Sequence, residues 1–356
     1  AASEQVSEWH NGKTGLGKTY SIASSDNADY ITLDTQLTGA TISSGAGNDH
    51  IFATAAAGKT VLDNNTTINL GTGRDAVTIT AVNSSATAQA VAMNKSTIDA
   101  TGDAIGDCIS ITGTVKTSTI NSGAGNDTVS LSASLLNALA VDATSSINLG
   151  DGDNTLDVTG RVINSKITGG NGADNISLQA TVSSSATPAL NISEINLGDG
   201  ANQLNITANG NSATLYSLTA ASGSTLRGGD GGNRITINGA LKSSTLTTGD
   251  GNDAITVTTA MSGSASLVDS SAITLGAGAD NLTIAAARAP GAVNVYALSK
   301  SSIDARNGAE GDSITIEGQV RDSNIYTGAG ADTLRFSGTS STSATTPAYS
   351  GLQSTN

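Results

Sequence analysis

Apolar residues in this chain alternate with polar ones over short segments, and the segments return every twenty to thirty residues or so. Gly123-Ala124-Gly125-Asn126-Asp127-Thr128-Val129-Ser130-Leu131 carries the pattern in full: a glycine turn, an acidic residue, then apolar side chains two and four positions on. Alternation of this kind predicts a short β-strand with one buried face. The same apolar pair stands at Val77/Ile79, Ile109/Ile111, Leu156/Val158, Ile176/Leu178, Leu204/Ile206 and Ile235/Ile237. It continues at Ile255/Val257, Leu282/Ile284, Ile314/Ile316 and Leu334/Phe336. A second strand is predicted before each glycine turn, where a serine stands two residues ahead of an apolar one: Ser118/Ile120, Ser165/Ile167, Ser193/Ile195, Ser244/Leu246, Ser271/Ile273 and Ser323/Ile325.

The Asp or Asn that closes the turn falls at 29, 49, 75, 107, 127, 154, 174, 202, 233, 253, 280, 312 and 332, so a step of 20 recurs, lengthened at regular places to between 26 and 32. Self-similarity at such a period marks a stacked-repeat architecture. The shortest coils share Ile111-Thr-Gly-Thr-Val115, Val158-Thr-Gly-Arg-Val162, Ile237-Asn-Gly-Ala-Leu241 and Ile316-Glu-Gly-Gln-Val320. Longer coils add residues such as 260–265 and 287–291, expected as loops along one edge. The predicted fold is all-β: a single elongated parallel β-solenoid of about thirteen coils over residues 25–338, right-handed. Residues 1–24 are expected as an N-terminal cap or joining segment, and 339–356 as a Ser/Thr-rich tail. Stacked coils bring Ile, Val and Leu into continuous ladders, each burial worth about 1.5–3 kcal/mol.

Composition changes the picture in three ways. Glycine numbers 42, proline 3 and aromatics 3%, which leaves too few large side chains for an ordinary globular core. The ordered apolar spacing argues against disorder. The net charge of −14, from 30 acidic and 16 basic residues, offers no basic face for nucleic acid. Cys108 is the sole cysteine, so no intrachain disulfide forms. No apolar run approaches the ~20 residues that cross a bilayer, so no transmembrane segment is expected. The opening Ala1-Ala2-Ser3 is what a processed secreted protein, or a trimmed one, would present.

Candidate chemistry sits in the turns. Two glycines one residue apart let the backbone aim several carbonyls at one spot, and the following Asp adds a carboxylate. Carbonyl and carboxylate oxygens, six to eight at about 2.3–2.6 Å, are what Ca²⁺ requires. The expected ligands are Asp49, Asp75, Asp107, Asp127, Asp153, Asp174, Asp199, Asp230, Asp250, Asp253, Asp280, Asp312 and Asp332. With them go the carbonyls of Gly45, Gly47, Gly123, Gly125, Gly249, Gly251, Gly328 and Gly330. The alternative stays open that Asp and Asn here serve only the turn, by bonding their own backbone.

Thr248-Gly249-Asp250-Gly251-Asn252-Asp253-Ala254-Ile255 and Gly169-Gly170-Asn171-Gly172-Ala173-Asp174-Asn175-Ile176 resemble the nonapeptide of the RTX, haemolysin-type calcium-binding proteins. The resemblance implies secretion, calcium-driven folding and a place on or outside a bacterial cell. It covers the turn and following strand of nearly every coil, about a third of the chain. The chain departs from that family in having one such turn per coil, in Asn154, Asn202 and Asn233 at closing positions, and in the expanded turns 102–107 and 308–312.

An enzyme of the β-helix lyase or epimerase type is the alternative function. Against it stand the two histidines, His10 and His50, the scarce aromatics and the absence of a triad or metal–histidine spacing. Arg288, Lys300, Arg306 and Arg321 are spread over different coils. The outward column Thr78, Ser110, Ser130, Thr236, Thr256, Thr283 and Thr315 suits an ice-binding face only in part, because Asp157, Asn205 and Arg335 interrupt it. Cys108 is expected at or near the surface. With no amphipathic helix to cap either end, head-to-tail self-association is expected. The expected role is a calcium-binding, secreted structural protein: a subunit of a surface filament, sheath or S-layer, or an adhesin stalk, with a cell-surface glycan as a further partner.

Overall fold

An alternating segment has one apolar face, and this chain buries it by winding. Each coil holds three short strands, one on each of three sheets, and strands pair in parallel with their counterparts in the next coil. The computed structural model describes residues 8–10, 21–24, 26–212, 215–263 and 265–337, and among them all helical and strand structure is strand. The fold is a parallel β-solenoid. In each coil a leading strand follows the glycine turn, a middle strand comes next, and a trailing strand runs into the next glycine turn. The chain falls into two compact units, residues 1–176 and 177–356.

In the first unit the leading strands include Tyr30–Leu33, His50–Thr54, Ala76–Thr80, Cys108–Thr112, Thr128–Ser132 and Thr155–Thr159. Register is strict: Ile109 lies beside Val77 on one side and Val129 on the other. On the trailing strands Ile98 lies between Ile68 and Ile120. The middle strands stack Leu62, Met93, Val115 and Val141. All of these side chains are fully buried. Glu8–His10 pairs in parallel with Tyr30–Thr32, an extra strand on the first coil, while most of the expected N-terminal segment lies outside the described residues.

The second unit repeats the arrangement. Leu204, Ile235, Ile255, Leu282 and Ile314 form one buried ladder on the leading strands. Leu226, Leu246, Ile273, Ile303 and Ile325 form another on the trailing strands. Two residues at the start of each expected loop are strand instead: Ala254–Met261 and Asn281–Arg288 pair along their whole length. The alternation simply runs on, and Met261 points inward and is buried. The expected tail lies outside the described residues.

Coil length varies most at one corner, between leading and middle strands. Long coils place insertions there, as from Thr80 to Val91 or from Arg288 to Tyr296. Short coils turn the same corner on a single glycine, Gly113, Gly160, Gly239 or Gly318, each at positive φ. The other two corners vary by only one or two residues, and they carry the polar chemistry of the interior.

Candidate functional site: the aspartate corner

Strand period explains where the closing residues point. Asp127 precedes Val129 and Leu131 by two and four positions, so it shares their inward face. The closing side chains are accordingly buried: Asp49, Asp75, Asp127, Asn154, Asp174, Asn202, Asn233, Asp253 and Asp280 are at most 2% exposed. Asp107 and Asp312 are nearly so, and Asp332 is half-buried.

These side chains form a hydrogen-bonded column. In the first unit the backbone N–H of Asp29 donates to Oδ1 of Asp49, Asp49 to Asp75, Asp75 to Asp107, and Asp107 to Asp127, at 2.7–2.8 Å. Asp127 N–H then donates to Asn154 Oδ1, and Asn154 N–H to Asp174 Oδ1. In the second unit Asn233 donates to Asp253, Asp253 to Asp280, Asp280 to Asp312, and Asp312 to Asp332, at 2.7–3.0 Å.

The second atom of each closing group separates Asn from Asp. Asn154 Nδ2 donates to the carbonyls of Gly150 and Gly152, both at 3.1 Å. Asn202 does the same to Gly198 and Gly200, and Asn233 to Gly229 and Gly231, at 2.9–3.2 Å. An aspartate held by the same Oδ1 bond must, by planarity, put Oδ2 where that nitrogen sits. Oδ2 of Asp49, Asp75, Asp127, Asp253 and Asp280 is buried and accepts no hydrogen bond. The Ser44 and Ser122 hydroxyls near Asp49 and Asp127 are committed to the Leu70 and Leu149 carbonyls. Burial pushes the carboxyls up from the usual range: Asp75 and Asp127 to about 6, Asp107 and Asp280 to about 7. Backbone N–H bonds offset part of this, and the neighbouring acids Asp49 and Asp103 add to it at Asp75, Asp253, Asp312 and Glu310 at Asp280. Asp49, Asp174, Asp253 and Asp312 shift the same way, again chiefly through burial.

The other expected acidic ligands lie elsewhere. Asp153, Asp199, Asp230 and Asp250 are exposed on the outside of the turns, as is Asp151. They stack with the opposite polarity, a later coil's N–H donating to an earlier side chain. Asp230 N–H bonds Asp199 Oδ1 at 3.1 Å, and Asp250 N–H bonds Asp230 Oδ1 at 3.0 Å. The expected calcium ligands therefore fall into an inner and an outer column. The inner slot fits a hydrogen-bond donor and not a calcium ion, since the asparagine nitrogen fills it with direct bonds to both carbonyls. Six to eight oxygens around a separate ion have no place there. Among the described residues no three acidic, histidine or cysteine side chains converge as a metal site, so any ion on the outer column would lean on backbone oxygens and water. The glycine carbonyls are partly committed as well: Gly45 O accepts from Thr72 N–H at 3.0 Å.

A second inner column escaped the sequence reading. At the corner before the trailing strand, Ser96 N–H donates to Ser118 Oγ and Ser118 N–H to Ser145 Oγ, at 3.1–3.2 Å. Each hydroxyl turns its own proton back to a carbonyl, as Ser118 does to Lys116 at 2.7 Å. The missed signal is the one that marks the aspartates: Ser118 and Ile120 are two apart on a strand and share the inward face.

Cys108 is exposed, as expected. The chain matches no protein-family model and no curated protein. The likeness to RTX repeats therefore rests on the turn motifs and the stacked parallel strands alone.

Proposed function

We propose that this chain is an extracellular structural solenoid, a self-stacking subunit of a surface filament, sheath or layer or the stalk of an adhesin, with calcium bound along its outer acidic edge. One observation carries the reading. Polar side chains recur coil after coil in register, as ladders that hold one coil to the next, rather than meeting at a single recess. That is the economy of a material and not of a reaction centre. Self-stacking draws support from the strand Thr333–Ser337, where Leu334 is half-buried while Ile314, one coil earlier, is fully buried. A second copy seated on that coil would cover Leu334. Asp199, Asp230 and Asp250, exposed in successive coils, are the residues that would draw the cation.

Light scattering and circular dichroism of the full chain, in calcium and then in EGTA, test this. The expected outcome is a large assembly in calcium that shrinks in EGTA with its β-spectrum kept. A variant carrying Asp199→Asn, Asp230→Asn and Asp250→Asn should no longer respond to calcium. A chain that stays monomeric in both conditions would overturn the reading.

A further inference from the structure

Asp75 and Asp280 occupy the same place in the two units. Each is an aspartate with an aspartate in the coil before and the coil after, Asp49 and Asp107 for one, Asp253 and Asp312 for the other. Each keeps Oδ1 on a backbone N–H and leaves Oδ2 buried without a donor. Successive coils are about 4.8 Å apart, the spacing of paired strands. Ionised, such a run would bury stacked like charges at that spacing, a strongly unfavourable arrangement at low local dielectric.

The other ionisable groups facing Asp75 and Asp280 do not relieve this. Asp103 faces Asp75 and Glu310 faces Asp280, and both are acids. Arg74 adjoins Asp75 in sequence but is exposed, with its N–H on Asn48 Oδ1. What the slot accepts is written in the asparagine coils, where an N–H group donates to two glycine carbonyls. A carboxylate offers those carbonyls only another acceptor. A carboxylic acid offers them an O–H.

We propose that Asp75 and Asp280 are proton-binding sites: at mildly acidic pH each is a neutral carboxylic acid in the folded solenoid, its Oδ2–H donating to the glycine carbonyls of its own turn as the asparagine amide does. The turn column thus stores protons where the repeat motif leads one to expect metal ions. The balance is one proton taken from solvent per site on folding at pH between the carboxyl's unfolded and folded ranges, with no bond made or broken beyond that transfer. The sign follows by linkage. A folded pKa raised above the unfolded value of about 3.9 gives stability that is complete below that value and lost as pH rises through about 6 at Asp75 and about 7 at Asp280.

The test is urea unfolding of the full chain between pH 4.5 and 8 at fixed ionic strength in EDTA, for the unsubstituted protein, Asp75→Asn and Asp280→Asn. The unsubstituted protein should lose stability as pH rises. Each variant should match it at pH 4.5 and exceed it at pH 8, on the order of a hundredfold in the unfolding constant for Asp75→Asn, tenfold per unit of pKa elevation. Infrared spectra at pH 5.5 need no unfolding: a neutral carboxylic-acid C=O band in the unsubstituted protein should weaken in each variant. Variants no more stable than the unsubstituted protein at pH 8, or spectra without that band, would overturn the proposal. So would calcium that stabilises the unsubstituted protein at pH 8 but not Asp75→Asn, since the slot would then hold the ion. This outcome is separate from failure of the outer-edge reading, which Asp199, Asp230 and Asp250 decide.

Discussion

The serine corner and the aspartate corner solve one problem with different chemistry. Both lie inside the winding, and both use a side-chain oxygen of one coil to accept a backbone N–H of the coil before. In the serine column of the second unit, Ser224, Ser244, Ser271 and Ser301 each donate N–H to the next serine's Oγ at 3.1 Å. A hydroxyl accepts and donates at once, so every member is satisfied whatever the pH. A carboxylate accepts only, and its spare oxygen is left facing carbonyls. The backbones differ too. The serine corner passes through one left-handed residue in most coils, filled by Lys95, Thr117, Asn164, Ser243 or Lys300 among others, and through two at Asn64-Asn65 and Ala143-Thr144. At the aspartate corner the coils approach so closely that glycine is required. One corner is permissive in sequence and indifferent to pH, the other demanding in sequence and sensitive to pH.

The sharpest way to break this contrast is to add one methyl group to each corner. A Cβ at Gly71, with φ +82°, would stand 1.7 Å from the carbonyl oxygen of Gly45. Backbone against backbone cannot yield, so Gly71→Ala should cost more than about 4 kcal/mol and abolish cooperative unfolding of the native stack. At the serine corner Gly223, with φ +59°, has nothing nearer than the Ile192 side chain at 3.6 Å. Gly223→Ala should cost only the left-handed penalty of about 1–2 kcal/mol. Thermal melts of both variants decide it, and equal losses would erase the distinction between the corners.

Removing a rung tests the pH contrast. Ser118→Ala deletes the acceptor for Ser96 N–H and the donor to Lys116 O. Orphaning these buried groups should cost about 1–3 kcal/mol. The loss should be the same at pH 4.5 and pH 8, because nothing in the serine column titrates. Urea titrations at the two pH values check it. A pH-dependent loss would mean that the two columns are coupled and the comparison is drawn too sharply.

The winding itself was legible in the sequence because period-two alternation and a twenty-residue step are both consequences of stacking. Register followed, since Val77, Ile109 and Val129 can share a ladder only if their turns also stack. The direction of the closing aspartates was equally legible, as Asp127, Val129 and Leu131 have one parity. Reading the turn as a metal-binding motif hid this, because it treats Asp127 as part of the loop rather than as the first inward position of the strand. The environment of Oδ2 was not legible. It depends on where the glycine carbonyls point, and only the asparagine coils reveal that. The trailing-strand serines were found as strand markers, while their hydrogen bonds depend on coil-to-coil contacts that no local pattern encodes.

The smallest expected effect sharpens the comparison from the permissive side. Ile192 occupies the left-handed position of the serine corner at φ +47° with 63% of its surface exposed. A β-branched side chain there is strained by its own backbone, and little burial offsets the strain. Its N–H bond to Ser222 O, 2.9 Å, belongs to the backbone and survives substitution. Asparagine tolerates this conformation and already fills it at Asn164, φ +47°. Ile192→Asn should therefore stabilise the chain by about 1 kcal/mol, read as a higher urea midpoint with an unchanged slope. A lower midpoint would mean that the Ile192 side chain contributes more against Gly223 than its exposure implies, and that this corner is less permissive than its mixed residues make it look.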